Sequence, residues 1–154
     1  MPKINLNAIE QVNNTGYPTP FDREVAGRWY RRLAPPSGLT QMGASHVVLK
    51  PGAWSSQRHW HDGEDELVIM LSGEAVLVED AGETIMHPGD IAAFPAGVNN
   101  GHHLQNRSKA DCIFIAVGAG DRSRGGGYSD IDMIFGEEGY FHKDGKPYEA
   151  QRLP

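Results

Sequence analysis

The chain has 154 residues, 39% of them hydrophobic and 22% charged, enough for one domain with a sizeable core and too few for two ordinary ones. A formal charge of -6 argues against a broad nucleic-acid or anionic-membrane surface, since either needs a positive face. The single cysteine, Cys112, allows no intrachain disulfide and sits in an apolar run that reads as a buried structural thiol in a cytoplasmic protein.

Residues 1–40 are rich in Asn, Pro and Arg, show no clean periodicity, and read as an arm holding one or two short strands. The arm begins without an apolar stretch that could act as a signal sequence, and no window approaches the 18 or so apolar residues of a membrane span. Within the arm, Arg28, Arg31 and Arg32 are interleaved with Trp29 and Tyr30. This cluster could grip an anionic ligand or partner; a solvated strand edge or salt-bridged arm is the reading taken, because charge runs are usually solvated.

From residue 41 to residue 118, short apolar runs recur: 44–49, 55–61, 66–71, 74–79, 83–87, 91–94, 102–106 and 111–117. The separators include Pro51-Gly52, Asp62-Gly63, Ser72-Gly73, Pro88-Gly89 and Pro95-Ala96-Gly97. Closely spaced strands with turn residues between them predict an antiparallel all-β sandwich or closed barrel. Past Gly118, residues 119–154 read as a linker and C-terminal tail. Arginines set among glycines there could cradle a phosphate, but without a strand before and a helix after, a plain linker is preferred. The tail carries Tyr128, Ile131, Met133, Ile134, Phe135, Tyr140 and Phe141, too much apolar surface for water, so it is expected to pack on the barrel or on a second subunit.

Four of the seven histidines fall in two short segments. His59 and His61 lie two apart on a strand and face the same way, about 7 Å apart along it. A tight turn at Asp62-Gly63 can return Glu66 on the neighbouring strand beside them. The second segment offers His102 and His103, of which strand alternation lets only one face the same point. Converging imidazoles and a carboxylate suit Fe, Mn, Ni, Co, Cu or Zn better than Mg or Ca. His46, His87 and His142 are read as structural or exposed. Asp62, Glu64 and Asp65 read as a solvated turn, any of which could instead orient an imidazole.

These residues resemble a known family. Gly52, His59, His61, Glu66 and Gly73 have the spacing of the first cupin motif, and Gly89, Pro95, Gly97, His102 and Asn106 resemble the second. The resemblance covers about residues 43–118. It implies a small cupin barrel (a double-stranded β-helix, or jelly roll) and a single metal ion held by His59, His61, Glu66 and His102. Cupins usually place two residues between the Pro-x-Gly glycine and the histidine, whereas here Val98-Asn99-Asn100-Gly101 intervene. The spacing to Asn106 favours His102; without the longer loop Asn100 would occupy the ligand position.

A divalent ion bound by three neutral imidazoles and one carboxylate keeps positive charge that favours anionic ligands, and works as a Lewis acid or, with a redox metal, on dioxygen. The expected function is metal-dependent turnover of a small oxygenated or anionic metabolite by isomerase, lyase or dioxygenase chemistry. The alternative is a non-catalytic module whose metal anchors a small molecule for binding or sensing. Relatives of this appearance carry the label of sugar-phosphate isomerase. Oxalate decarboxylases, which have a similar His-Trp-His segment, place an arginine where this chain has Ser56, so oxalate chemistry is disfavoured. Candidates for acid, base or hydrogen-bonding roles are Gln57, on the face of His59 and His61, His46 on a neighbouring strand, and His103 at the rim. Small cupins commonly pair through edge strands and arms, which predicts a homodimer.

Overall fold

The computed structural model describes residues 3–149. It is antiparallel and all-β apart from three single-turn 3-10 segments. Twelve strands follow in chain order: β1 (Arg28–Arg32), β2 (Gly43–Leu49), β3 (His59–His61), β4 (Glu64–Ser72), β5 (Ala75–Glu79), β6 (Gly82–Met86), β7 (Ile91–Phe94), β8 (His103–Gln105), β9 (Cys112–Gly120), β10 (Gly126–Tyr128), β11 (Ile134–Gly136) and β12 (Gly139–Phe141). No helix among the described residues is long and apolar enough to cross a membrane.

One wall of the barrel is a five-stranded sheet in the order β1-β2-β9-β4-β7. The other is assembled from β6-β5-β8 and β12-β11-β10-β3. The two smaller sheets are tied by a bridge between His59 and His102, whose backbone amides exchange hydrogen bonds of 3.2 and 2.9 Å. Alternation along the strands sends Val47, Leu49, Val68, Met70, Cys112 and Phe114 inward, where they meet Leu77 and Leu104 from the opposite wall. Each such side chain, fully buried, contributes on the order of 2 kcal/mol of apolar transfer. Burial pushes the Cys112 thiol up to about 11, in keeping with a packing role.

A second apolar cluster lies at one mouth of the barrel. Tyr17 and Val25 from the N-terminal arm pack there against Tyr128 and Met133 from the C-terminal segment. The arm is also held by Val12, which bridges Tyr30 on β1. The apolar tail thus packs on its own barrel.

Two expectations need correction. Residues 119–127 are not a free linker: β9 runs on to Gly120, and Gly126–Tyr128 pairs with His61, Trp60 and His59 of β3. Glycine is required there by close approach, since a Cβ at Gly127 would lie 2.5 Å from the Trp60 ring. The strand expected over residues 55–61 begins only at His59, because the chain bends through Ser55–Arg58 before joining the sheet.

Candidate metal centre

Two strands and one loop end bring the ligand-type side chains together. β3 carries His59 and His61 on one face, and its backbone is fixed on one side by β10 and on the other by the His59–His102 bridge. β4 carries Glu66, which stands opposite Phe94 on β7 and Gly118 on β9. Ligand atoms of His59, His61 and Glu66 all lie within 4.8 Å of one another. The Nε2 atoms of His59 and His61 are 3.1 Å apart, and Glu66 Oε2 is 3.8 Å from His61 Nε2. His102 reaches the group through Glu66, its Nε2 being 2.9 Å from Oε2. Donors about 2.1 Å from one ion, at right angles, would be about 3.0 Å apart, so these separations suit a shared cation.

The far nitrogens of His59 and His102 are held by acceptors, and that of His61 faces a carboxylate. His59 Nδ1 lies 3.0 Å from the Gln57 carbonyl and 3.2 Å from Ser56 Oγ. His102 Nδ1 lies 3.3 Å from the Asn100 carbonyl, and His61 Nδ1 3.5 Å from Glu64 Oε2. A carbonyl can only accept, so a neutral His59 carries its proton on Nδ1 and turns its Nε2 lone pair to the cluster, whereas the 2.9 Å contact of His102 Nε2 with the Glu66 carboxylate is a hydrogen bond in which Nε2 donates. Two ring nitrogens 3.1 Å apart share either a proton or a cation, and the donor set fits a metal ion.

The electrostatics agree. Burial, reinforced by His102 and His61, lowers His59 to about 4, so its ring is neutral at physiological pH. Burial pushes the Glu66 carboxyl up, but the hydrogen bond with His102 and the neighbouring imidazoles outweigh it and hold the group down at about 2. The rings are also packed from the side: Phe94 stacks on His102 with centroids 3.5 Å apart and planes 2° apart, and Phe135 stands edge-on to His61 at 5.3 Å.

Of the paired histidines, His102 faces this cluster. His103 turns away, with Nδ1 2.9 Å from the Ser56 carbonyl, Nε2 2.9 Å from Gln105 Nε2, and its ring edge-on to Trp54. Asn100 Oδ1 accepts from the Asp80 amide, so its side chain is engaged away from the cluster. Gln57, expected beside the histidines, donates instead to Phe21 O and Glu24 Oε2, because the chain has not yet joined the strand there. His46 alternates with the cavity-facing Ser45 and Val47 and so faces the outside of its sheet, where burial and then Arg31 depress its basicity. His87 is exposed, and His142 pairs with Asp132 at 2.8 Å. Glu64 is the departure among the acids: it is buried and sits against His61. Asn106, the last residue of the second motif, is structural, its amide donating to Leu49 O and Ala110 O.

The cluster opens into a cavity of about 410 Å³. Sequence reasoning did not bring Tyr17, Tyr128, Tyr140, Phe94 or Phe135 to its wall. It singled out the basic cluster but took it for a solvated edge or salt-bridged arm; two of its members, Arg28 and Arg32, instead line the cavity while Arg31 faces outward to Ile9 O. Their spacing of four on one strand was the available signal.

The family model described as Cupin domain matches residues 45–118. No curated protein matches the chain. Among solved structures, a sugar phosphate isomerase from a cupin superfamily, from Silicibacter pomeroyi, is 42% identical, with 96% of each chain covered and a TM-score of 0.90. A protein from Acidithiobacillus ferrooxidans, itself a candidate sugar phosphate isomerase, is 22% identical over 75% of this chain and 76% of its own, with a TM-score of 0.66. The polyketide cyclase RemF from Streptomyces resistomycificus is 21% identical over 77% and 79%, with a TM-score of 0.60. The last two share the fold alone.

Proposed function

Because the chain belongs to the cupin family, we propose that His59, His61, Glu66 and His102 hold one divalent transition-metal ion, and that the protein turns over a small oxygenated or anionic metabolite in the cavity beside it. The observation that carries this reading is the convergence of the Nε2 atoms with the Glu66 carboxylate, each Nδ1 being held from behind. Bound there, the ion supplies Lewis-acid polarisation of a carbonyl or enolate, or a redox centre if it is iron or a similar metal.

The chain's own residues supply position and exclusion of water. The carbonyls of Gln57 and Asn100 and the Glu64 carboxylate set the ring orientations. Phe94 and Phe135 cover two of the rings, while burial keeps the hydroxyls of Tyr17, Tyr128 and Tyr140 protonated well above their ordinary range, as neutral hydrogen-bond donors. Among dioxygenase, isomerase and lyase chemistry, the description of the 42% identical Silicibacter pomeroyi protein favours an isomerase.

A non-catalytic module that binds or senses a small molecule through its metal is the second reading. It is favoured by the scarcity of an acid–base group: His103, the nearest imidazole outside the cluster, has both ring nitrogens engaged. We also infer a homodimer. With the arm and tail packed on their own barrel, the surface left for it is the apolar outer face of the five-stranded sheet.

Elemental analysis of protein purified without a metal-chelating tag, beside His61→Ala, tests the metal centre. Near-stoichiometric transition metal in the parent, lost in a variant that keeps its β-sheet circular dichroism, is the expected result. Absence of metal from the parent after reconstitution would overturn the reading. A metal-loaded protein inert towards a panel of phosphorylated and carboxylated sugars would move the function to the binding module.

A further inference from the structure

Arg28, half-buried, differs from the ion-paired arginines. Arg58, Arg107 and Arg122 each hold a carboxylate, whereas Arg28 has no ion-pair partner among the described residues. Its Nη1 donates to Ser55 O at 2.8 Å, and its guanidinium carbon lies 5.4 Å from the Tyr30 ring centre. Its Nε is buried and has no hydrogen-bond partner among the described residues. An unsatisfied buried donor costs on the order of 1–3 kcal/mol, more when charged, so it marks a place where an acceptor is missing.

A second unspent donor lies nearby. Tyr17, 4% exposed, accepts from the Gln57 amide at 3.3 Å and shares a 3.2 Å hydrogen bond with Tyr128. Tyr128 also hydrogen-bonds Tyr140, so two of the three hydroxyl protons are used within this chain, and the third has no carbonyl or carboxylate acceptor among the described residues. Arg28 is close enough for its charge to act on Tyr17 and Tyr140. Arg28, Tyr17, Tyr128 and Tyr140 all line the cavity that holds the histidines. The steps from the cluster are short: the His59 ring is 5.9 Å from that of Tyr128, which is 5.8 Å from that of Tyr17.

We propose that Arg28, with the Tyr17–Tyr128 hydroxyl pair, forms an oxyanion subsite in the wall of the cavity, which takes a carboxylate or phosphate on the substrate whose other end is held at the histidine cluster. This rests on the reading of a metal-dependent substrate cavity and deepens it by naming the second anchor. A planar guanidinium offers parallel donors to such a group, and a neutral hydroxyl adds a third without opposing charge. The cavity selects, on this account, molecules with a metal-binding oxygen at one end and an oxyanion at the other.

The test is carried out on the full chain and, separately, on His61→Ala, using inorganic phosphate and acetate as probes. Binding is read by titration calorimetry and by the Arg28 Nε–H resonance, assigned from its loss in Arg28→Lys. Saturation by at least one anion, a downfield move of that resonance, and a roughly tenfold or greater loss of affinity in Arg28→Gln are expected, with a smaller loss in Tyr17→Phe. A response to phosphate alone marks phosphorylated substrates, and one to acetate alone marks carboxylates. The same binding in His61→Ala shows that the subsite stands even if the metal reading fails. An unmoved Nε–H resonance, unchanged affinity in Arg28→Gln, or no binding of either anion would overturn the proposal. If Arg28→Gln does not fold, the wild-type resonance decides alone.

Discussion

The Glu64 carboxylate lies behind His61, its Oε2 3.5 Å from His61 Nδ1 while Oε1 accepts a 2.9 Å hydrogen bond from Arg122 Nε. A carboxylate in that position fixes the ring's tautomer and strengthens Nε2 as a donor to an ion on the other side. Glu64→Gln keeps the volume but removes the charge, and metal affinity measured by chelator competition should fall by roughly 10–100-fold with the fold intact. Gly118→Ala should act in the same direction, since its Cβ would collide with Glu64 Oε1. Unchanged affinity in Glu64→Gln would mean that this carboxylate serves only to anchor Arg122.

Acid should destabilise the metal-free protein in a defined window. His59 titrates near 4 in the folded chain and near 6.5 when unfolded, so between those values the unfolded state binds more protons. Stability from the neutral ring is complete above pH 6.5 and is lost as the pH falls towards 4. Glu66, lowered from 4.5 to about 2, adds a further loss below pH 4.5 by the same sign. Thermal melts at pH 7.5, 5.5 and 4 should show a falling midpoint, with a shallower fall in His59→Ala. A midpoint that stays level from pH 7.5 to 4.5 would contradict the depressed His59. Bound metal should leave over a similar range, below about pH 6, as protons compete for the imidazoles.

The barrel strands and the histidine cluster were legible because both rest on period-two alternation. His59 and His61 face one way by counting alone, and Gly73 and Gly89 mark turns in which each takes a positive φ. What escaped depends on contacts between distant segments. Nothing local in Tyr17 or Tyr128 says that they meet, 111 residues apart in the chain. Gly125-Gly126-Gly127 reads as a linker in composition, yet its glycines are there because Trp60 and Phe135 leave no room for a side chain. Glu64 looked like one acid in a polar turn, and only Arg122, 58 residues later, shows why it is buried. Gln57 failed for a local reason: the strand expected from residue 55 starts at His59, two residues beyond it.

Gly127→Ala tests the role of that segment. The added methyl would lie 2.5 Å from the Trp60 ring, and the indole is itself tethered by its Nε1–H to Asp62 Oδ1 at 3.1 Å. Overpacking of this kind costs about 1–3 kcal/mol. For a chain of this size the melting midpoint should drop by roughly 2–10 °C. Because β10 backs the strand that carries His59 and His61, metal affinity should fall with it. A midpoint within error of the parent would return the segment to the status of a linker.

The outer face of the five-stranded sheet carries a row of paired residues, Ile91, Ile69 and Ile115, that continues to His46 and Arg31. Ile91 is 62% exposed and Leu71, at the end of the same strand as Ile69, 48%. A flat apolar sheet face of this kind is costly in water and favours association with an identical face about a two-fold axis. Light scattering at micromolar concentration should give twice the 16.9 kDa chain mass, and Ile91→Lys should halve it without changing metal content. A monodisperse parent monomer would end the dimer proposal. A dimer that survives Ile91→Lys would instead place the contact on the edge of β1, whose backbone the arm bridges at Tyr30.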